Sequence, residues 1–146
     1  MKISTKGRYG LRAMLDLTLN STGDHVALNT IAERQNISPN YLEQVFSILR
    51  KAGLVNSVKG AQGGYVLADS PGRINVGQIL RALEGELVVA GDRSNESDST
   101  VEYCLQKHVW EQINQSINTV VDAITLEDLV TQYKKMQGPR SLMFYI

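Results

Sequence analysis

Four polar side chains crowd into one short stretch: Asn40, Tyr41, Glu43 and Gln44. Amide and phenol groups there can hydrogen-bond phosphates, or base edges in a major groove, where each base pair shows its own set of donors and acceptors. Glu43 can accept from a cytosine amino group, or act against wrong sequences by repulsion. Further on, Lys59 stands at the shoulder of the glycine-rich run Gly60-Ala61-Gln62-Gly63-Gly64. A cation there can approach phosphates or a narrow minor groove. Gly60, Gly63 and Gly64 let the backbone turn tightly and come close to a duplex. Each polar residue taken singly could be a solvated helix face; the array as a whole points to DNA. A second group is Cys104 with His108 four positions on, which places both on one face of a helix. Thiolate and imidazole could help hold a metal or an iron–sulfur cluster of mixed ligation. The plainer alternative is a free thiol near a helix start beside a surface histidine. Between these stands a redox thiol that forms a sulfenic acid or an intermolecular disulfide. His25 lies in a loop and carries no signal. No nucleophile–base–orienter set is visible, so an enzyme is not expected. No cofactor is expected either, with a metal or cluster at Cys104 and His108 as the alternative.

The elements that must position these groups can be read from caps and periodicity. Ser4 and Thr5 suit the start of a first helix reaching about Asn20, with Tyr9, Leu11, Met14 and Leu15 among its apolar positions. Val26-Ala27 suits a very short strand. Leu28, Ile31 and Ala32 lie at helical spacing in a second helix ending near Gln35. Ser38 is a good N-cap, and Pro39 fits the first helical position because its missing N–H is not needed there. The third helix then carries Leu42, Val45, Phe46 and Leu49, and Gly53 suits the residue past its end. Leu54–Lys59 and Tyr65–Ala68 are rich in strand formers and flank the glycine run, so they read as a hairpin. Asn75 suits the cap of a short helix to about Glu84. Residues 91–100 are polar and without apolar period, a flexible linker or ligand loop.

A long helix is expected from about Glu102 to Ala123. Its apolar stripe is Leu105, Val109, Ile113, Ile117, Val120, Val121 and Ile124, with Trp110 as a packing anchor. About 22 residues of helix span roughly 33 Å, comparable with the small domain before it. Part of the stripe would overhang, and a second copy is the natural cover, since two-fold dimers are the commonest soluble oligomers. Leu105, Val109, Trp110, Ile113, Ile117, Val120 and Ile124 are therefore the expected dimer interface. Thr125-Leu126-Glu127-Asp128 resembles a capping box opening a last short helix, which Gly138-Pro139 should stop.

Composition narrows the class. At 42% hydrophobic and 21% charged, the 146 residues have ordinary soluble composition and can bury a core. No apolar run is long enough to span a bilayer, and Met1–Lys6 lacks the apolar segment of a signal peptide. One cysteine excludes an intrachain disulfide, and a cytoplasmic location is expected. Zero net charge hides a division. Residues 1–60 hold eight basic against four acidic side chains, a net +4, and residues 61–146 hold seven against eleven, a net −4. The basic front suits a polyanion.

The runs "MKISTKGRYGLRAMLDL", "ISPNYLEQVFSILRKAGLV" and "SVKGAQGGYVLA" resemble the winged-helix regulators of the Rrf-two family over nearly the whole chain. That resemblance implies a homodimer that binds palindromic double-stranded DNA operators and represses. It implies Ser38, Asn40, Tyr41 and Gln44 as recognition-helix contacts and Lys59, where relatives often carry Arg, as the wing contact. In the cluster-binding branch three cysteines precede the long helix; the matching positions here are Asp92, Asp98 and Cys104. That branch has a histidine one position sooner than His108, where this chain has Lys107. The ending Met143-Phe144-Tyr145-Ile146 resembles that of the family's cysteine-metabolism repressors, which bind O-acetylserine thiol-lyase (cysteine synthase). Ile146 would be the anchor, its carboxylate held by backbone donors, with Tyr145 and Phe144 as contact surface. Without the resemblance, the tail could equally pack back on the body.

The expected fold is mainly α with a small β-hairpin wing: a winged helix-turn-helix followed by a long C-terminal dimerisation helix. Residues 1–85 form the DNA-binding domain, 86–100 a linker or effector loop, 101–135 the dimerisation helix with a short last helix, and 136–146 the tail. The expected function is a repressor of sulfur or cysteine genes. The alternatives are a cluster, metal or redox sensor, and a module that holds a metabolic enzyme.

Overall fold

The computed structural model describes residues 1–90 and 100–144, with side chains to residue 138. Helix α1 spans Thr5–Asn20, α2 Leu28–Gln35 and α3 Pro39–Lys51. Strands β1 (Val55–Val58) and β2 (Gly64–Leu67) follow, then a 3₁₀ turn at Pro71–Arg73 and α4 at Val76–Glu84. After the undescribed segment come α5 (Val101–Leu105), a π-helical turn at Gln106–Trp110, α6 (Glu111–Ala123) and α7 (Leu126–Phe144).

Local chemistry sets most helix starts. Ser4 caps α1, Ser38 caps α3 by accepting the Tyr41 N–H, and Thr100 caps α5 by accepting the Tyr103 N–H. Asn75 and Gln78 exchange backbone and side-chain hydrogen bonds, each 2.8 Å, in a full capping box at α4. Thr125 and Asp128 do the same at α7, each bond 3.0 Å. Each such cap satisfies N–H groups that have no partner inside the helix. The start of α1 also draws on a distant group. Glu84, at the end of α4, accepts the Ser4 N–H at 3.1 Å, the Gly7 N–H at 3.0 Å and the Ser4 hydroxyl.

The main core joins α1, α2, α3 and the hairpin through Met14, Leu17, Ile31, Leu42, Phe46 and Val55, all fully buried. Each such side chain contributes roughly 1.5–3 kcal/mol by leaving water. A second cluster, Val76, Leu80 and Leu87, is covered by Ile3, Leu11, Ile117, Val121 and Ile124. It docks the long helix on α4. Beside it, Arg81 of α4 donates to Asn118 at 3.0 and 3.2 Å and to Asp122 at 2.5 Å. Asn118 donates in turn to the Leu87 carbonyl, and Asn114 accepts the Val89 N–H at 2.6 Å. Residues 87–89, which the sequence places at the start of a linker, are thus held against α6.

The hairpin pairs β1 antiparallel to β2, with Val55 opposite Leu67 and Val58 opposite Gly64. The expected short strand at Val26-Ala27 exists as a bridge: Val26 and Tyr65 exchange two backbone hydrogen bonds, both 2.9 Å. Gly64 permits this approach. A Cβ there would stand 2.3 Å from the Val26 carbonyl oxygen and 2.6 Å from its carbon, backbone atoms with no room to yield. Gly64→Ala should therefore break the bridge and cost about 2 kcal/mol, the net worth of two hydrogen bonds. The checks are a lower urea midpoint and loss of amide-exchange protection at Tyr65. Unchanged protection there would contradict the close-approach argument.

One expectation needs correction. The last helix is not short and does not stop at Gly138-Pro139; α7 runs through both to Phe144. A proline inside a helix lacks one N–H and crowds the preceding turn, but flanking turns can carry the helix past it. The long helix lies where expected, from Val101 to Ala123, and takes a π turn at Gln106–Trp110.

Candidate nucleic-acid interface

The turn between α2 and α3 is three residues long. Asn36 takes the left-handed conformation at φ 54°, and its N–H caps the last carbonyls of α2. Ile37 is buried, and Ser38 opens the next helix. α3 is strongly two-faced: Leu42, Val45, Phe46 and Leu49 are buried, whereas Ser38, Asn40, Glu43 and Gln44 are exposed. The core side of α3 also supports the wing. Phe46 meets Tyr65 of β2 with ring centroids 4.8 Å apart.

Recognition helix and wing face one another across an open groove. Pro39, Asn40 and Glu43 line one wall, and Ser57, Lys59 and Gly60 the other. Lys59 is exposed, and Gly60 at φ 121° turns the hairpin tip in a conformation that L side chains rarely adopt. Gln44 lies on the other flank of α3 with Ser47 and Arg50. Tyr41 is half-buried, its ring meeting Tyr9 of α1 edge-on at 5.9 Å. The Arg12 guanidinium lies 4.7 Å from the Tyr9 ring centre. Asn29 and Ser57 also line the groove, and the sequence reading passed over both. Their only signal is polarity, which does not separate a groove wall from any wet surface.

Behind the interface, α2 is fixed to α1 by charge. Asp16 is buried, and Arg34 donates to both its carboxylate oxygens, at 3.0 and 2.7 Å. Gln35 adds a bond at 2.8 Å. The hydrogen bond to Asp16 holds the Arg34 guanidinium even more firmly protonated than usual, against the opposing effect of its partial burial. Bidentate geometry of this kind fixes direction as well as charge.

The remaining candidates lie elsewhere. Cys104 is a free, exposed thiol and His108 is exposed. Lys107 between them pairs with Glu111 at 3.4 Å. Among the described residues no three acidic, histidine or cysteine side chains converge as metal ligands; Asp92 and Asp98 lie outside those residues. The chain's one thiol falls short of the donor set that an iron–sulfur cluster takes, so the residues do not fit that group. In the long-helix stripe, Ile117 and Ile124 pack within the chain on the α4 cluster. Leu105, Ile113 and Val120 stay exposed, Val120 at 58%, and Val109 and Trp110 are half-buried. In the tail, Met143 and Phe144 lie within α7 but their side chains are outside the described set, as are Tyr145 and Ile146 altogether. No helix among the described residues is long and apolar enough to cross a membrane.

A helix-turn-helix whose third helix and hairpin share one groove defines a winged-helix transcriptional regulator. The chain belongs to the Rrf2 family, described as iron-dependent transcriptional regulators, whose model matches residues 3–132. It is 41% identical to the HTH-type transcriptional regulator CymR of Bacillus subtilis over 146 residues, covering 100% of each chain. Among solved structures, CymR, the global cysteine regulator of B. subtilis, superposes with a TM-score of 0.77 at 41% identity, covering 90% of this chain and 98% of that one. IscR of T. potens superposes with a TM-score of 0.75 at 46% identity, covering 94% of this chain and 91% of that one. The relatives are transcriptional regulators, and this chain is one too, not an enzyme.

Proposed function

We propose that this chain is a homodimeric repressor that binds palindromic double-stranded DNA operators, and that its targets are genes of sulfur and cysteine metabolism. One observation carries the DNA reading: the exposed first turns of α3 and the cationic shoulder of the wing line a single open groove. A duplex laid over that groove and the adjoining flank of α3 would meet Asn40 in the groove, Gln44 on the flank and Ser38 at the helix start, at base edges or phosphates, and Lys59 at the flanking backbone. Glu43 contributes selectivity, through acceptance from cytosine or repulsion of other bases. Tyr41 reaches the duplex from a ring braced by Tyr9. The uncovered part of the long-helix stripe, Leu105, Ile113 and Val120, supports dimerisation. It would set two reading heads at a fixed spacing. The match to a cysteine regulator runs the length of the chain, tail included, which supports the sulfur assignment. The likeness of the ending Met143-Phe144-Tyr145-Ile146 to that of cysteine-metabolism repressors is what supports O-acetylserine thiol-lyase as the protein these residues would engage.

The experiment is selection of bound fragments from genomic DNA, with and without cysteine starvation, followed by binding titrations on the recovered operator. Gln44→Ala should weaken the operator more than random duplex, by the roughly 1–3 kcal/mol of a base contact. Lys59→Ala should weaken both and lower the slope of log K against log salt by about one unit. Unaltered operator binding in both variants would reject this surface.

A further inference from the structure

His25 precedes α2, and its side chain is 24% exposed. Both of its ring nitrogens face acceptors. Nδ1 lies 2.9 Å from Oδ1 of Asp24, and Nε2 contacts the backbone carbonyl of Gln62 at the tip of the wing. The same Asp24 oxygen accepts the His25 backbone N–H at 2.8 Å, which keeps the carboxylate beside the ring. The next residue, Val26, makes the bridge to Tyr65. The wing is therefore attached to this loop twice, at its base through backbone and at its tip through an imidazole.

The two attachments differ in kind. A neutral imidazole has one N–H and one lone pair, so it can donate to Gln62 or to Asp24 but not to both. In either tautomer it turns a lone pair toward the remaining oxygen. The imidazolium donates to both, and one of these bonds is to a carboxylate, the stronger class. The other charged groups on the adjoining elements are few. The wing carries Lys59, and β2 carries the phenol of Tyr65, whose ring packs on Phe46. Glu33 and Arg34 lie at the far end of α2, and Arg34 is engaged by Asp16. Asp24 is thus the charged group that faces the ring.

We propose that His25 is a positioning residue for the wing, its imidazolium tying the hairpin tip to the loop before α2, so that the placement of Lys59 follows proton concentration. The consequence for operator affinity rests on the DNA reading given above; the tether itself does not. Imidazole is the side chain whose charge is most readily switched near neutrality, and loss of the ring proton removes one of the two donors.

The test uses the full chain without DNA. Amide-exchange protection factors, corrected for intrinsic pH dependence, are measured for the wing amides, above all Gly63, which donates to the Gly60 carbonyl at 3.1 Å. Protection should fall about three- to tenfold from pH 5 to pH 8, the worth of one partly exposed hydrogen bond. The fall should vanish in His25→Gln, shrink in Asp24→Asn and persist in His108→Gln, which removes the chain's other histidine. Equal pH responses in wild type and His25→Gln would overturn the proposal. Titrations on the recovered operator should show the same fold-change in wild type and a flat profile in His25→Gln. A failure to bind any duplex at every pH, with the wing response intact, would support the tether and strike the DNA assignment instead.

Discussion

Phe46→Ala should lower the unfolding free energy by about 4 kcal/mol, within the range for deleting a buried aromatic ring. The ring is fully buried, is the largest such side chain among the described residues, and has its centroid 4.8 Å from that of Tyr65. It therefore serves two purposes, as core filler and as the brace between recognition helix and hairpin. The cavity opened by alanine lies between these two elements, so the damage should not be confined to stability. Urea denaturation should show the midpoint falling with little change in m-value. In conditions where the variant is still folded, amides of β1 and β2 should exchange faster than those of α4. Phe46→Leu keeps most of the apolar volume and should recover more than half of the loss. An alanine variant within about 1 kcal/mol of wild type would mean that the site collapses around the missing ring and that the brace is dispensable.

Arg34→Ala should cost about 3 kcal/mol, near the lower end for removing one partner of a buried ion pair. For a domain of this size that corresponds to roughly 10 °C in Tm. The asymmetry of exposure sets the expectation. The Asp16 side chain is 2% exposed and that of Arg34 is 40% exposed. Removing arginine leaves a carboxylate in the interior with Gln35 and Asn20 as its remaining side-chain donors among the described residues. Removing aspartate leaves a guanidinium that water can reach. The double variant Asp16→Leu with Arg34→Met removes both charges and retains volume. It should be more stable than Arg34→Ala alone, because no uncompensated charge stays behind. If the double variant proved the less stable, the pair would be contributing net attraction beyond its desolvation cost. Thermal melts of the wild type and these two variants decide the matter.

What was legible in the sequence follows the range of each interaction. Ser4, Ser38, Asn75 and Thr125 mark helix starts because a cap needs only the next three residues. The alternation of Leu42, Val45, Phe46 and Leu49 with Asn40, Glu43 and Gln44 gives α3 its two faces by period alone. The hairpin is legible because strand formers flank a glycine run. What was missed depends on partners far along the chain. Asp16 and Arg34 read as two surface charges until α1 and α2 are folded together. Glu84 gives no local hint that it holds the start of α1. His25 carries no local signal because its contact lies in the wing, 37 residues away. The end of the last helix was misplaced because Gly138-Pro139 is a strong local signal that fixes only one lost hydrogen bond, not the fate of the turns beyond. The polar groove walls Asn29 and Ser57 needed the groove itself to be seen.

The π turn at Gln106–Trp110 bears on how this chain is aligned with its relatives. Such a turn houses one residue more than the α-helical turn it replaces, and each residue is worth about 100° of rotation. Across it, counting positions and counting degrees give different answers. Alignments that slide a single gap through residues 106–110 therefore trade one correspondence for another: they match either the residue number or the side of the cylinder. Deleting one residue there would restore a plain α-helical turn and keep Val101–Leu105 on the same side of the helix relative to Ile113 and Val120. Indels in this segment should be scored by azimuth, not by letter.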